Sequence, residues 1–202
     1  MNNDQQYVHL LGLIDQGKAV EAIELFRAAL TSPDPYVRWA GIKGCGEARD
    51  EQSIRSLIDF LGRDAPDLGD TDQRRIAVWA LAKFGFERVV PLIKSDSRLV
   101  ETLFAEDIAD LLGELGDSRG LGLLTQLLAR NERTVTLWAS LSAAKIGGSS
   151  LPVIEECLAG NPSIEATFYL LDALSKIGTP SALALRQRFI LGSQYGEIRA
   201  MV

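Results

Sequence analysis

The stretch DPYVRWAGIKGCGEARD, residues 34–50, contains a pattern that returns four more times along the chain. From residue 37 onward it aligns without gaps with four later segments. The five segments are VRWAGIKGCGEARD (37–50), QRRIAVWALAKFGF (73–86), FAEDIADLLGELGD (104–117), VTLWASLSAAKIGG (135–148) and ATFYLLDALSKIGT (166–179). Their starts lie 36, 31, 31 and 31 residues apart, and three equal steps indicate an internal repeat.

Each segment has apolar or small residues at most of its first, fifth, eighth, ninth and twelfth positions. In the fourth segment these residues are Val135, Ala139, Ser142, Ala143 and Ile146. A spacing of three and four residues places them on one face of an α-helix. Four of the five segments have glycine at the thirteenth position, which predicts a left-handed residue that ends the helix.

A second amphipathic stretch follows each segment, so one repeat predicts an antiparallel pair of helices. Such a pair is too small to bury its own apolar face and must stack on its neighbours. The sequence therefore predicts an all-α fold, a right-handed solenoid of helical pairs that forms a single domain. The predicted units are an N-terminal cap pair at 4–31, repeats at 33–62, 70–95, 99–130, 132–160 and 162–190, and a tail at 191–202.

The stretch at 34–50 resembles the HEAT-like repeat of the phycobilisome-lyase type, whose pattern runs roughly D-P-x-V-R-x-x-A-A-x-A-L-G-x-I-G-D. The resemblance extends over residues 33 to about 190, and it implies an α-solenoid of HEAT-like pairs. Two departures are local. Ala48 and Arg49 replace the Ile-Gly pair of the pattern, and Gln73 replaces the first aliphatic residue of the second segment.

The composition fits a folded protein whose main partner is not nucleic acid. Hydrophobic residues make up 47% and charged residues 24%, and the net charge is −6 with a pI near 4.9. Phosphate binding needs a concentrated basic surface, which this average disfavours, although a local basic stripe is compatible with it. We therefore expect no nucleic-acid partner.

The N-terminal sequence MNNDQQYVHLLGLID lacks the basic start and the apolar core of a signal peptide. No apolar run approaches the roughly 20 residues of a membrane span. We therefore expect a cytoplasmic protein with no membrane partner. Its two cysteines, Cys45 and Cys157, lie within apolar helical patterns, which predicts buried and unreactive thiols.

Sequence patterns typical of catalysis or cofactor binding are absent. The chain has one histidine, His9, and it has neither a glycine-rich phosphate loop nor a GxSxG motif. The aspartates between 62 and 75 lack the glycine and the closing glutamate of a calcium loop. We expect no catalytic residue, no bound metal and no cofactor.

Two tryptophans occupy helical positions that point away from the apolar stripe. Trp39 holds the third position of its segment and Trp79 the seventh. A large aromatic residue there is either exposed for binding or covered by an adjacent helix. The third segment interrupts this row with Glu106, Asp107 and Asp110. We take Trp39 and Trp79 as the centre of a candidate protein-binding surface.

The 36-residue step implies a five-residue insertion, which we place in GRDAPDLGDTDQRR, residues 62–75. Insertions in solenoids map to loops on one face, and that face is often functional. Asp67, Asp70 and the basic pair Arg74 and Arg75 therefore join the candidate surface. The alternative is a solvated acidic loop in which Asp70, or one of the two residues after it, caps the next helix.

These features predict a non-catalytic adaptor or scaffold that presents a curved helical surface to another protein, whose identity stays open. The resemblance also implies a second function, a subunit of a bilin lyase or lyase-isomerase. Such an enzyme attaches or removes an open-chain tetrapyrrole on a phycobiliprotein cysteine, so the partner would be a tetrapyrrole-bearing protein. No residue in the chain demands this enzymatic interpretation.

Overall fold

The computed structural model describes residues 2–61, 68–95 and 105–192, and it describes only the backbone of residues 68–72. Within these ranges the chain forms twelve α-helices and no strand, which confirms the all-α prediction. The helices are α1 (Asn3–Asp15), α2 (Ile23–Ala29), α3 (Pro35–Ala48), α4 (Ile54–Leu61), α5 (Leu68–Ala82), α6 (Phe86–Ser95), α7 (Ala105–Leu115), α8 (Leu121–Ala129), α9 (Arg133–Ile146), α10 (Leu151–Ala159), α11 (Ile164–Ile177) and α12 (Pro180–Gly192).

Helix α3 begins where the sequence predicts it. The Oδ1 atom of Asp34 accepts hydrogen bonds from the backbone N–H groups of Tyr36 and Val37, at 2.9 and 3.1 Å. Pro35 is the first helical residue, where its missing N–H costs no hydrogen bond. An aspartate cap and a proline together therefore fix the start of the first repeat.

The thirteenth position of every segment has a positive φ angle, a conformation that glycine adopts readily, although the ψ angle of Gly147, −147°, lies outside the left-handed helical region. The φ angles of the four glycines are 81°, 62°, 81° and 66° at Gly85, Gly116, Gly147 and Gly178. Arg49 adopts the left-handed αL conformation, with a φ of 50° and a ψ of 47°, although its Cβ atom disfavours it. The helix ends of the pattern are thus preserved even where the glycine is not.

Contacts divide the chain into two compact units, Met1–Leu111 and Leu112–Val202. In the first unit, Arg38 of α3 extends toward α5. Its Nε donates to Oε1 of the buried Gln73 at 2.8 Å, and its Nη1 donates to the carbonyl oxygens of Ser32 and Pro33 at 2.8 and 2.9 Å. Gln73, which replaces an aliphatic residue of the repeat pattern, therefore accepts a hydrogen bond from Arg38, the arginine of that pattern in the neighbouring helix.

The turn that follows α3 is tied to α2 by an acidic residue. Asp50 accepts two hydrogen bonds from the guanidinium of Arg27, at 2.8 Å from Nε and 2.5 Å from Nη2, and another from the hydroxyl of Ser53. The Arg27 guanidinium lowers the pKa of the Asp50 carboxyl below its usual range. This pair joins the cap helices to the first repeat.

Small residues allow neighbouring helices to approach closely in both units. A Cβ atom at Gly44 of α3 would lie 2.1 Å from Cδ1 of the buried Phe26, and one at Gly46 would lie 2.7 Å from Cβ of Ala80. In the second unit, a Cβ atom at Gly113 would lie 2.6 Å from Oγ of Ser142. Helix contacts of this kind have no room for a larger side chain.

Replacing Gly44 with alanine tests this close approach. We expect Gly44→Ala to lower the free energy of unfolding by about 1–3 kcal/mol, because the new methyl group overlaps the ring of Phe26. Gly12→Ala is the matched control: the nearest heavy atom to its new Cβ is Nε2 of Gln16 at 4.0 Å. The control should leave stability unchanged or raise it by up to about 1 kcal/mol. Equal urea midpoints for Gly44→Ala and wild type would refute the expectation.

Candidate functional site

The outer side of α3 carries an aromatic residue paired with a cation. Trp39 is half-buried, and Nζ of Lys43 lies 5.3 Å from the centroid of its ring. A spacing of four residues places both side chains on the same side of the helix. An ammonium group within about 6 Å of an indole ring is attracted by the ring's π-electrons. Lys43 is therefore held against Trp39.

Helix α5 repeats this arrangement one turn further along. Nζ of Lys83 lies 4.2 Å from the ring centroid of the half-buried Trp79. The Trp79 ring also contacts α3, since a Cβ atom at Gly46 would lie 3.3 Å from its Cζ3 atom. The sequence analysis left open whether each tryptophan is exposed for binding or covered by an adjacent helix. The protein covers each ring only in part, so neither alternative holds fully.

An ion pair connects α3 and α5. Oε2 of Glu47 lies 3.4 Å from Nζ of Lys83, and both residues hold the eleventh position of their segments. The two helices approach closely where Gly46, at the tenth position of the segment in α3, meets Ala80, at the eighth position of the segment in α5. The third-, seventh- and eleventh-position residues therefore belong to the same side of this helix pair. We name the six residues the Trp–Lys face: Trp39, Lys43 and Glu47 of α3, and Arg75, Trp79 and Lys83 of α5.

The two candidate arginines have different environments. Arg75 is exposed and lies one turn before Trp79 on the same side of α5. Arg74 is largely buried, and it lies 3.6 Å from Glu106 and 3.4 Å from Asp107 of α7 (nitrogen to oxygen). Two of the three acidic residues that interrupt the aromatic row in the third segment, Glu106 and Asp107, are therefore partners of Arg74.

The two acidic candidates of the insertion are Asp67 and Asp70. Asp67 lies outside the described residues. Helix α5 begins at Leu68, so Asp70 lies in its first turn rather than at the cap position that the sequence analysis considered. Negative charge in a first helical turn is favoured by the helix dipole.

An exposed tyrosine at the edge of the face was not singled out from the sequence. Tyr36 lies in the first turn of α3 and is 66% exposed, and its ring centroid lies 5.8 Å from that of Tyr7 in α1. Its position three residues before Trp39 on a predicted helix was the available signal, since residues three apart share a side of a helix.

Two family models match the chain. The model for HEAT repeats matches residues 3–69, and the model for the PBS (phycobilisome) lyase HEAT-like repeat matches residues 73–95. Residues 3–69 therefore contain HEAT repeats, and residues 73–95 contain a HEAT-like repeat of the phycobilisome-lyase type. These matches bear out the resemblance and the fold class expected from the sequence, an all-α HEAT-repeat solenoid. Its handedness and its number of repeats stay predictions.

This HEAT-like repeat protein is also similar to a relative from Pseudanabaena tenuis, the "Uncharacterized phycocyanin operon protein Z". The two are 25% identical over 177 residues, which make up 84% of this chain and 85% of the relative. The similarity therefore covers most of both proteins.

Asp107 is buried, and its carboxyl group lies near the acidic residues Glu106 and Asp110. Burial raises the pKa of Asp107 to about 7, against the lowering effect of Arg74, while Glu106 and Asp110 raise it further. The folded protein thus binds a proton here more tightly than the unfolded chain does. Protonation stabilises the fold below about pH 4, and this stabilisation is lost as the pH rises from about 4 to 7.

Replacing Asp107 with asparagine should remove this pH dependence. We expect the free energy of unfolding of wild type to fall, relative to Asp107→Asn, between pH 4.5 and pH 8. The expected size is about 1.4 kcal/mol for each unit by which the pKa is raised. Asp59→Asn, at an exposed carboxylate in the same unit, is the control. Parallel stability curves for wild type and Asp107→Asn would contradict this assignment.

The second unit contains a cavity of about 380 Å³ that the sequence did not predict. It lies where α8 and α10 end and α9 and α11 begin, and its wall includes Leu128, Thr136, Cys157 and Leu170. Burial raises the pKa of the Cys157 thiol, which keeps it protonated. The cavity thus offers a mixed apolar and polar wall without an activated nucleophile.

Cys45, the other cysteine, is also a poor nucleophile. It is fully buried, and burial raises the pKa of its thiol to about 11. Across residues 2–61, 68–95 and 105–192, no three His, Cys, Asp or Glu side chains are grouped closely enough to hold a metal ion. None of the helices in the same ranges has the length and apolar character that crossing a bilayer requires.

Proposed function

We propose that the protein is a non-catalytic adaptor that binds a phycobiliprotein, or a protein that assembles one, through the Trp–Lys face. One observation carries the proposal: two neighbouring helices each present a half-exposed tryptophan with a lysine held over its ring. Tryptophan and cationic residues are enriched where proteins bind one another, and a half-buried ring is already partly ordered before binding.

The choice of partner is supported by the comparisons. The relative from Pseudanabaena tenuis is named after a phycocyanin operon, and the repeat at 73–95 is of the type named after the phycobilisome lyase. Helix α5 of the Trp–Lys face lies largely within that matched range. A phycocyanin subunit is therefore the first partner to test.

Binding to immobilised phycocyanin tests the proposed surface. We expect Trp39→Ala and Trp79→Ala each to weaken binding by roughly tenfold, about 1.4 kcal/mol, because both rings are central to the face. Trp138→Ala, a half-buried tryptophan of α9 outside the face, is the matched control. Circular dichroism melts confirm that each variant is folded. A folded Trp39→Ala/Trp79→Ala double variant that binds like wild type would exclude this surface.

The second candidate function is a bilin lyase subunit, which the phycobilisome-lyase repeat at 73–95 favours. The pKa values of both thiols of this chain are raised, so neither is an activated nucleophile, but the thiol that reacts in bilin attachment belongs to the phycobiliprotein. We place the adaptor first because the Trp–Lys face is a surface suited to binding a protein. An enzyme of this class could still work by positioning two partners.

A chromophore-transfer assay separates the two functions. Apo-phycocyanin α subunit and phycocyanobilin are mixed with and without the protein, and covalent attachment is followed by visible absorbance under denaturing conditions. An adaptor leaves the rate of attachment at the level of the two reactants alone. An increase in covalent chromophore that depends on the protein would support the lyase function and exclude a purely non-catalytic one.

A further inference from the structure

The Trp–Lys face alternates aromatic and charged side chains across two helices. In α3 and α5, the third positions hold tryptophan and arginine, the seventh hold lysine and tryptophan, and the eleventh hold glutamate and lysine. The glutamate and the lysine at the eleventh positions form an ion pair. Each cation thus has a tryptophan on its own helix, and the Trp39–Lys43 and Trp79–Lys83 pairs are offset by one turn. Apolar rings and positive charges therefore lie next to one another on both helices.

The charge of this face is opposite to that of the whole chain. Its charged residues are the cations Lys43, Arg75 and Lys83 and the anion Glu47, while the chain carries a net charge of −6. Glu47 lies against Lys83, so its charge is already compensated within the face. Lys43 and Arg75 therefore present positive charge beside exposed parts of the two indole rings.

We infer that the Trp–Lys face binds an acidic amphipathic segment of a partner protein, in which carboxylates and apolar side chains alternate. This inference rests on the proposed adaptor function and specifies its partner. Carboxylates of the segment pair with Lys43 and Arg75, and its apolar side chains pack on Trp39 and Trp79. Complementary charge fixes the orientation of the segment and speeds its association, while the rings provide apolar contact area.

Single-stranded nucleic acid is the other polymer that combines negative charge with flat apolar groups. The face is poorly suited to it. Phosphate binding gains its affinity from many cations along a track, whereas this face offers three cations and includes Glu47, within an acidic chain. An acidic protein segment needs fewer charges because its apolar side chains contribute to binding.

Synthetic peptides test the inference without phycocyanin. The probe is a fluorescein-labelled amphipathic 18-residue peptide made of leucine, alanine and glutamate, and its counterpart has glutamine in place of glutamate. We expect the glutamate peptide to bind at least about tenfold more tightly in 50 mM salt, and this advantage to shrink in 500 mM salt because the charges are screened. Fluorescence anisotropy measures both affinities.

Charge reversal locates the binding site. Lys43→Glu should weaken binding of the glutamate peptide by roughly tenfold, since it replaces an attraction with a repulsion. Lys43→Arg should bind like wild type, because arginine keeps both the charge and the contact with the ring. Lys94→Glu changes the net charge equally at an exposed lysine of α6 and is the matched control.

Three results would overturn the inference: equal binding of the glutamate and glutamine peptides, equal losses for Lys43→Glu and Lys94→Glu, or tighter binding of a dT18 oligonucleotide than of the glutamate peptide. The proposed function fails separately. If the glutamate peptide binds through Lys43 but phycocyanin does not bind, the phycobiliprotein partner is wrong and this inference stands. If phycocyanin binds through the two tryptophans independently of salt and of Lys43, the proposed function stands and this inference fails.

Discussion

Close contact between helices of neighbouring pairs is the constraint on which each unit depends. A helical pair of this size leaves one apolar side uncovered, so the side chains at the contact must be small enough for the next helix to cover it. Gly44 against Phe26 and Gly46 against Ala80 meet this requirement in the first unit, and Gly113 against Ser142 meets it in the second. What recurs from repeat to repeat is therefore mainly the small size of the side chains at the helix contacts, and less the type of residue.

The same close contact creates the candidate surface. Because α3 and α5 approach at Gly46, the side chains on their outer edges come within reach of one another, and the Trp79 ring extends onto the neighbouring helix. The ion pair between Glu47 and Lys83 spans the same contact. The surface that we propose for binding is thus a consequence of how α3 and α5 pack.

Features that depend on local sequence were predictable, and features that depend on distant partners were not. The spacing of apolar residues predicts the helices, and the recurring glycine predicts the left-handed residue that ends them, a conformation that Arg49 also adopts. The pKa of Asp107 depends in part on Arg74, and Arg38 donates a hydrogen bond to Gln73. Each of these interactions links two different repeats, and the order of residues along the chain does not show which repeats are in contact. Trp39 and Trp79 were identified from helix geometry, but the lysine above each ring became evident only from side-chain positions.

The eleventh position of the segments holds a charged residue in every repeat, and its sign depends on the repeat. Glu47 faces Lys83 in the first unit, and Glu114 faces Lys145 at 2.6 Å in the second, so the sign alternates from one repeat to the next over four repeats. Each pair is exposed and individually weak. The fifth repeat has Lys176 at this position, and it pairs with Asp172 on its own helix. Loss of the second or the third repeat would therefore bring two like charges together, whereas loss of the fourth would place Lys176 after Glu114 and keep opposite signs. The row of charges thus disfavours deletions in the middle of the array more than deletions near its C-terminal end.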